Sequence, residues 1–274
     1  MFLHRKRVIW GIALLAVISA LLITLRKNAG STQFQNFREY DEIKKDGRLN
    51  VVTTKSEWGF SSKNNTVSGF NYEIAKAFAD SMKMELAVTT ENNLGKCIDG
   101  IKEGKYDIIA VCIPTTLQMK LNLAFSTPIY ESRQVLVQQS YSAKSVYQTL
   151  LEQRHLSKDS ICIPSQSPHR KRLENLSDEI ALSIKIVEIE EKTTEDLVAM
   201  VSKGDIKFTV CDEVQAKKLQ QRYSNISIEI PVGFNQPMAW GVHRNARQLQ
   251  KKLNYFLHDF LNSTEYWNIY RKYF

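Results

Sequence analysis

The sequence lacks the short motifs that carry most catalytic and cofactor chemistry. It has no Gly-rich phosphate loop, no nucleophile elbow and no H-E-x-x-H. Its four cysteines (Cys97, Cys112, Cys162, Cys211) form no C-x-x-C pair, which speaks against a zinc site. Its five histidines (His4, His155, His169, His243, His258) have no metal-ligand spacing and read as solvated surface residues. No two carboxylates stand out as a catalytic pair. No metal, no cofactor and no enzymatic reaction are expected.

Acidic residues are absent from the first 30 positions, which carry five basic ones: Arg5, Lys6, Arg7, Arg26 and Lys27. The net charge of +8 therefore falls to +3, 32 basic against 29 acidic residues, over the other 244. No basic stripe with interleaved aromatics appears there, so nucleic acid is not an expected partner. Between the basic clusters, Val8 to Leu25 is an uninterrupted run of 18 uncharged, mostly apolar residues. That length just crosses a bilayer, exceeds a usual signal h-region, and ends without a cysteine to take a lipid. Residues 1–30 read as an uncleaved membrane anchor spanning at 8–25, with a cleavable signal peptide as the alternative. The basic flank orients the span. The remainder is then expected outside the inner membrane, in the periplasm. Export would allow one or two disulfides. The apolar, strand-like runs around Cys112, Cys162 and Cys211 read instead as settings for buried thiols.

The polar stretch 31–46 reads as a linker. Beyond it strands and helices alternate: strands over 49–54, 85–89, 107–113, 160–164, 184–190 and 208–211, helices over 72–83, 95–103, 145–153, 168–176, 194–203 and 213–220. Extended segments are read at 134–138 and 238–242, and helices at 246–261 and 263–273 close the chain. Thr193 and Asp196 resemble a capping box, and Gly104 a helix stop. Alternation of this kind implies an α/β fold of parallel sheets covered by helices, and two such runs imply two lobes. Open sheets bind ligands beyond the carboxyl ends of their strands, which directs attention to Lys55–Ser61, Pro114–Met119, Ser165–His169 and Asp212.

At these places the chain resembles the amino-acid-binding class, family 3, of bacterial extracellular solute-binding proteins. The similar stretches include GRLNVVTT, SGFNYEIAKAFADSMKMEL, IKEGKYDIIAV, FSTPIYESRQVLV, TTEDLVAMVSKGDIKFTVCDE and QPMAWGV, in the family's order over most of 47–274. Within that class it is most similar to the binding module at the N-terminus of membrane-bound lytic transglycosylase F. The resemblance implies a chain that ends with that module, without the lysozyme-like catalytic domain. The resemblance implies a type II periplasmic-binding-protein fold. Lobe 1 would span 36–133 plus 239–274 and lobe 2 would span 134–238, closing on ligand by hinge motion.

The resemblance also names the site. The family's T-x-x-R step, whose guanidinium clamps a ligand carboxylate, reads here Thr116-Leu117-Gln118-Met119. Met119 cannot bind a carboxylate, and Lys120 would point about 100° away on a helix. Cys112 and Pro114 replace the family's usual Gly and Ser or Thr. Asp212 matches the residue that takes the ligand amine, although it could equally cap the helix behind it. Ser167 matches a helix N-terminal anion turn, or is a plain cap. Trp58 and Phe60 stand where an aromatic stacks on ligand, or where core packing would suffice. Asn71 reads as structural. The expected ligand is a small polar solute other than a standard free amino acid. The expected partner is an ABC permease or a membrane or cell-wall component. A dehydratase of cyclohexadienyl acids, the enzymatic alternative, also needs the clamp that Met119 replaces.

Overall fold

The elements follow local signals over most of the chain. In the computed structural model the described residues are 37–63, 66–140, 160–181 and 183–274. The apolar run 8–25 and the helix read over 145–153 lie outside them. Helix α1 (Tyr40–Asp46) leads into β1 (Arg48–Thr53), a hairpin of β2 (Ser61–Lys63) and β3 (Thr66–Ser68), then α2 (Phe70–Ser81) and β4 (Glu85–Thr90). Next come α3 (Leu94–Lys102), β5 (Ile108–Pro114), the single turn α4 (Leu117–Lys120), β6 (Leu123–Phe125) and β7 (Tyr130–Ser132). The chain continues through β8 (Gln134–Gln139), β9 (Ile161–Pro164), α5 (His169–Glu179), β10 (Ile186–Ile189) and α6 (Thr194–Lys203). It ends with β11 (Phe208–Asp212), α7 (Glu213–Arg222), β12 (Ile226–Pro231), β13 (Gln236–His243), α8 (Arg247–Phe260) and α9 (Thr264–Tyr273).

Caps and stripes explain the helices. Thr193 and Asp196 form a reciprocal capping box at the start of α6, and Gly204, at φ 85°, ends it in the left-handed conformation that glycine adopts without strain. Helix α8 buries Leu249, Leu253, Leu257 and Phe260, a stripe at intervals of four, four and three. The linker reading of 31–46 fails over 40–46, which form α1. Glu39 and Glu42 make its capping box, Gly47 ends it at φ 72°, and Tyr40 and Ile43 are buried. Seven residues hold too few apolar positions for a helical period to show.

Two sheets result. The first has the order β4-β1-β5-β13-β6, with β7 also paired to β13. The second has the order β10-β9-β11-β8-β12. The expectation of parallel sheets needs correction. Strand β1 is parallel to β4 and β5, and β9 is parallel to β10 and β11. Strand β13 is antiparallel to β5, β6 and β7, and β8 is antiparallel to β11 and β12. The antiparallel strands β8 and β13 begin just after the chain passes from one sheet to the other, at Arg133 and over 232–235. They enter from the neighbouring lobe rather than from a helical crossover, and so run the opposite way.

Each sheet is buried on both faces, as parallel strands require. Successive residues of β5 alternate between them. Ile108, Ala110 and Cys112 join the large core that also holds Trp240 and Phe70, while Ile109 and Ile113 join a smaller one with Leu94, Cys97 and Ile101. In the second sheet Val135 and Val137 face the large core and Leu136 the opposite side. All four cysteines are free, buried thiols.

Candidate functional site

Six parallel strands end on one cavity. It has a volume of about 120 Å3 and is lined from both sheets. In the first, Thr54, Ser56 and Trp58 follow β1, Glu91 and Asn92 follow β4, and Cys112 and Pro114 close β5. In the second, Ser165 and Ser167 follow β9, Thr193 and Glu195 stand at the start of α6, and Asp212 ends β11. Carboxyl ends of open sheets leave such a crevice because the connections diverge there to opposite faces.

Asn71 holds the first lobe's wall in place. Its Oδ1 accepts from the buried Trp240 Nε1 at 2.8 Å and from the Cys112 Sγ at 3.2 Å, and its Nδ2 donates to the Trp58 carbonyl at 2.9 Å. The structural reading of Asn71 therefore stands, although the residue also lines the cavity. Trp58 packs its ring toward Phe274, 6.5 Å between centroids, and its own Nε1 has no partner among the described residues.

Asp212 is the electrostatic centre of the second wall. It is 8% exposed, and its carboxylate makes no capping bond to the α7 that follows. Capping is thus excluded as its role. Desolvation lifts its pKa from the usual carboxylate range to about 7. The next residue, Glu213, is instead the paired one. The Arg133 guanidinium grips it with two bonds of 3.0 Å, holding that carboxyl below its ordinary range. His169 is likewise buried, against the surface reading of the histidines. Its Nδ1 is unpartnered and burial lowers its pKa to about 4.

The lobes touch on both sides of the cavity. Arg222, at the end of α7, reaches Glu57 in the loop after β1 and Glu195 at the start of α6, the latter at 2.6 Å. Opposite, the Gln166 side chain lies against Gly95 of α3, where an added Cβ would stand 3.2 Å from its Oε1. Gln166 itself has φ 56°, a left-handed conformation that costs a non-glycine residue about 1–2 kcal/mol.

Of the residues singled out by sequence, Trp58, Ser167 and Asp212 come together on this cavity. Phe60, Thr116 and Met119 are not among its lining. Phe60 meets Tyr72 edge-on at 5.3 Å. Thr116 caps α4, accepting from the Met119 amide at 3.3 Å. Met119, partly buried, packs against the smaller core, as do Val111 and Phe125. Ser167 accepts from the His169 amide at 3.2 Å, so it both caps α5 and lines the cavity. Sequence reasoning missed Glu91, Asn92 and the Thr193–Glu195 group. The rule that pointed beyond β1, β5, β9 and β11 applies equally to β4 and β10, whose strands were recognised.

Residues 48–274 match the family described as bacterial extracellular solute-binding proteins, family 3. The chain belongs to that family. Its curated relatives include a membrane-bound lytic murein transglycosylase F of Desulfosudis oleivorans, 25% identical over 261 residues, covering 94% of this chain and 56% of that protein. Another, from Pseudomonas fluorescens, is 28% identical over 79% of this chain and 44% of its own. The chain thus spans about half the length of the curated relatives it matches. Solved structures of the same fold include a solute receptor for L-cysteine of Neisseria gonorrhoeae, with TM-score 0.74, 14% identity and coverage of 86% and 93%. An ancestral arginine-binding protein bound to arginine has TM-score 0.69 and 20% identity, over 83% of this chain and 98% of its own. These family 3 likenesses assign a two-domain α/β periplasmic-binding-protein fold. Among the described residues, no helix is long and apolar enough to cross a membrane.

Proposed function

We propose that this chain is an extracytoplasmic solute-binding protein, tethered at the outer face of the inner membrane by residues 8–25. Its two lobes close on a small polar solute that is not a standard free amino acid. The cavity built from six strand ends in two sheets carries the reading, since among the described residues it contains Asp212 but no guanidinium. The family's fold and the amino-acid-binding proteins that share it support solute binding. Met119, at the position of the carboxylate clamp, packs into a core and supports a changed ligand. Lobe closure is a hinge motion about the two crossings near Arg133 and residues 232–235.

The partner is either an ABC permease that takes the solute or a cell-wall component that the binding event regulates. The names of the curated relatives favour the second. Titration with the standard L-amino acids, followed by thermal shift and calorimetry, tests the ligand claim. Binding weaker than about millimolar is expected; a micromolar Kd, about 8 kcal/mol, for any of them would refute it.

A further inference from the structure

The cavity carries charge of one sign. Among the described residues three carboxylates line it, Glu91, Glu195 and Asp212, and no lysine or arginine does. Glu195 is shared with Arg222, which also holds Glu57, so that group of three still carries one negative charge. Arg133, whose carbonyl accepts from the Glu213 amide, spends its guanidinium fork on Glu213. Asp212 has no partner among the described residues, although it is more than nine-tenths buried and lines the cavity. An ionised carboxylate left so is costly unless a counter-charge arrives.

Among the described residues the cavity offers an anion no lysine or arginine. Of the helix N-termini at the cavity, those of α3, α5 and α6 carry a side-chain cap, and that of α7 presents the Asp212 carboxylate itself. Asn93 accepts from the Lys96 amide on α3, Ser167 from the His169 amide on α5, and Thr193 from the Asp196 amide on α6. A ligand carboxylate would meet acidic oxygens with no donor fork. The remaining wall is apolar, with Trp58, Leu94, Val111 and Met238. The volume of about 120 Å3 is of the order of a cavity that takes a benzene-sized molecule, hence a small solute.

We infer that the solute is a small organic amine, cationic and free of carboxylate, whose ammonium group rests on Asp212 while its body lies against Trp58. This rests on the solute-binding reading above and narrows it to one ligand class. The amine should bind with a proton linkage. Its charge favours ionised Asp212, whose pKa stands near 7 in the empty site, so affinity is highest above pH 7 and falls on acidification. Of the groups facing Asp212, the buried thiols, the phenol and the imidazole do not share that window. Burial lifts the Cys112 and Cys211 thiols and the Tyr130 phenol well above their ordinary values, and His169 lies near 4. Glu91 and Glu195 share the cavity, and Glu213 stays bound to Arg133 and Lys217.

Matched pairs test this. Tyrosine, arginine, histidine and lysine are titrated beside tyramine, agmatine, histamine and cadaverine, by thermal shift and then calorimetry. At least one amine is expected to bind on the order of 100-fold tighter than its parent, about 3 kcal/mol. Its affinity should fall up to about tenfold per pH unit below pH 7, and Asp212→Asn should abolish it. Should that variant fail to fold, the wild-type pH profile still decides. A parent amino acid binding as tightly as its amine, or a pH-independent amine affinity, overturns the inference. So does tight binding of a neutral solute with no amine bound, and in that case solute binding itself survives. Both readings fall together only if no amine, neutral or anionic solute stabilises the protein.

Discussion

Replacing Asp212 with asparagine should stabilise the empty protein near pH 8 and change it little near pH 4. The carboxyl is buried and unpaired, and desolvation raises its pKa from 3.8 to about 7. A folded pKa above the unfolded one means that the folded state holds the proton more tightly. Wild-type stability is therefore greatest below about pH 4, falls as pH rises toward 7, and is level above it. About three pKa units at 1.36 kcal/mol each set an upper bound of about 4 kcal/mol. Water entering the cavity would lower the effect to about 2–4 kcal/mol. Asparagine keeps nearly the same shape without the charge, so the variant escapes the loss. For a chain of this size, each kcal/mol moves Tm by about 2–4 °C, giving a gain of roughly 4–16 °C near pH 8. Calorimetric melts of both proteins across pH 4 to 8, without added solute, measure this. A difference in Tm that is constant with pH, or an asparagine variant that is the less stable near pH 8, would refute the reasoning. Either result would give Asp212 a stabilising structural partner.

Met119→Arg should not restore amino-acid binding, because the side chain leaves α4 toward the smaller core and not the cavity; calorimetry with L-arginine should show no micromolar heat, and Tm should drop by a few degrees, about 1–2 kcal/mol. Asn71→Ala removes the acceptor of the buried Trp240 Nε1 and the donor to the Trp58 carbonyl. An orphaned buried polar group costs about 1–3 kcal/mol, so urea unfolding should show a loss of about 2–4 kcal/mol. Arg222→Ala deletes two half-exposed ion pairs, one across the cleft to Glu57 and one within the second lobe to Glu195. The cross-cleft pair contributes about 0.2–1 kcal/mol, so solute affinity should fall by up to about fivefold, and the difference should shrink in about 1 M salt. A larger, salt-independent loss would mean that Arg222 contacts the solute.

Much of this architecture is legible in the chain because it is local. The capping box at Thr193 and Asp196 needs four residues to be seen, and the alternation through Ile108–Ile113 needs six. The β12 segment, with Ile226, Ile228 and Ile230 alternating, carries the same local signal. Other features have no local signature. The reversed direction of β8 and β13 depends on the chain crossing between lobes. Strands of three residues, such as β6 and β7, are too short for any period. The same divide runs through the site. The carboxyl-end rule locates Trp58, Ser167 and Asp212, while the packing of Met119 away from the cavity is a tertiary outcome. His169 sits in a basic, polar run that gives no hint of burial, and only the closure of the second lobe's wall encloses it.

The central claim, a two-lobed cleft that holds a small solute other than a free amino acid, is tested most directly by native mass spectrometry of protein purified without unfolding. The account predicts one small occupant per chain, released on denaturation, carrying an amine and no carboxylate, and absent from the Asp212→Asn variant. A standard amino acid bound in equal stoichiometry would contradict it.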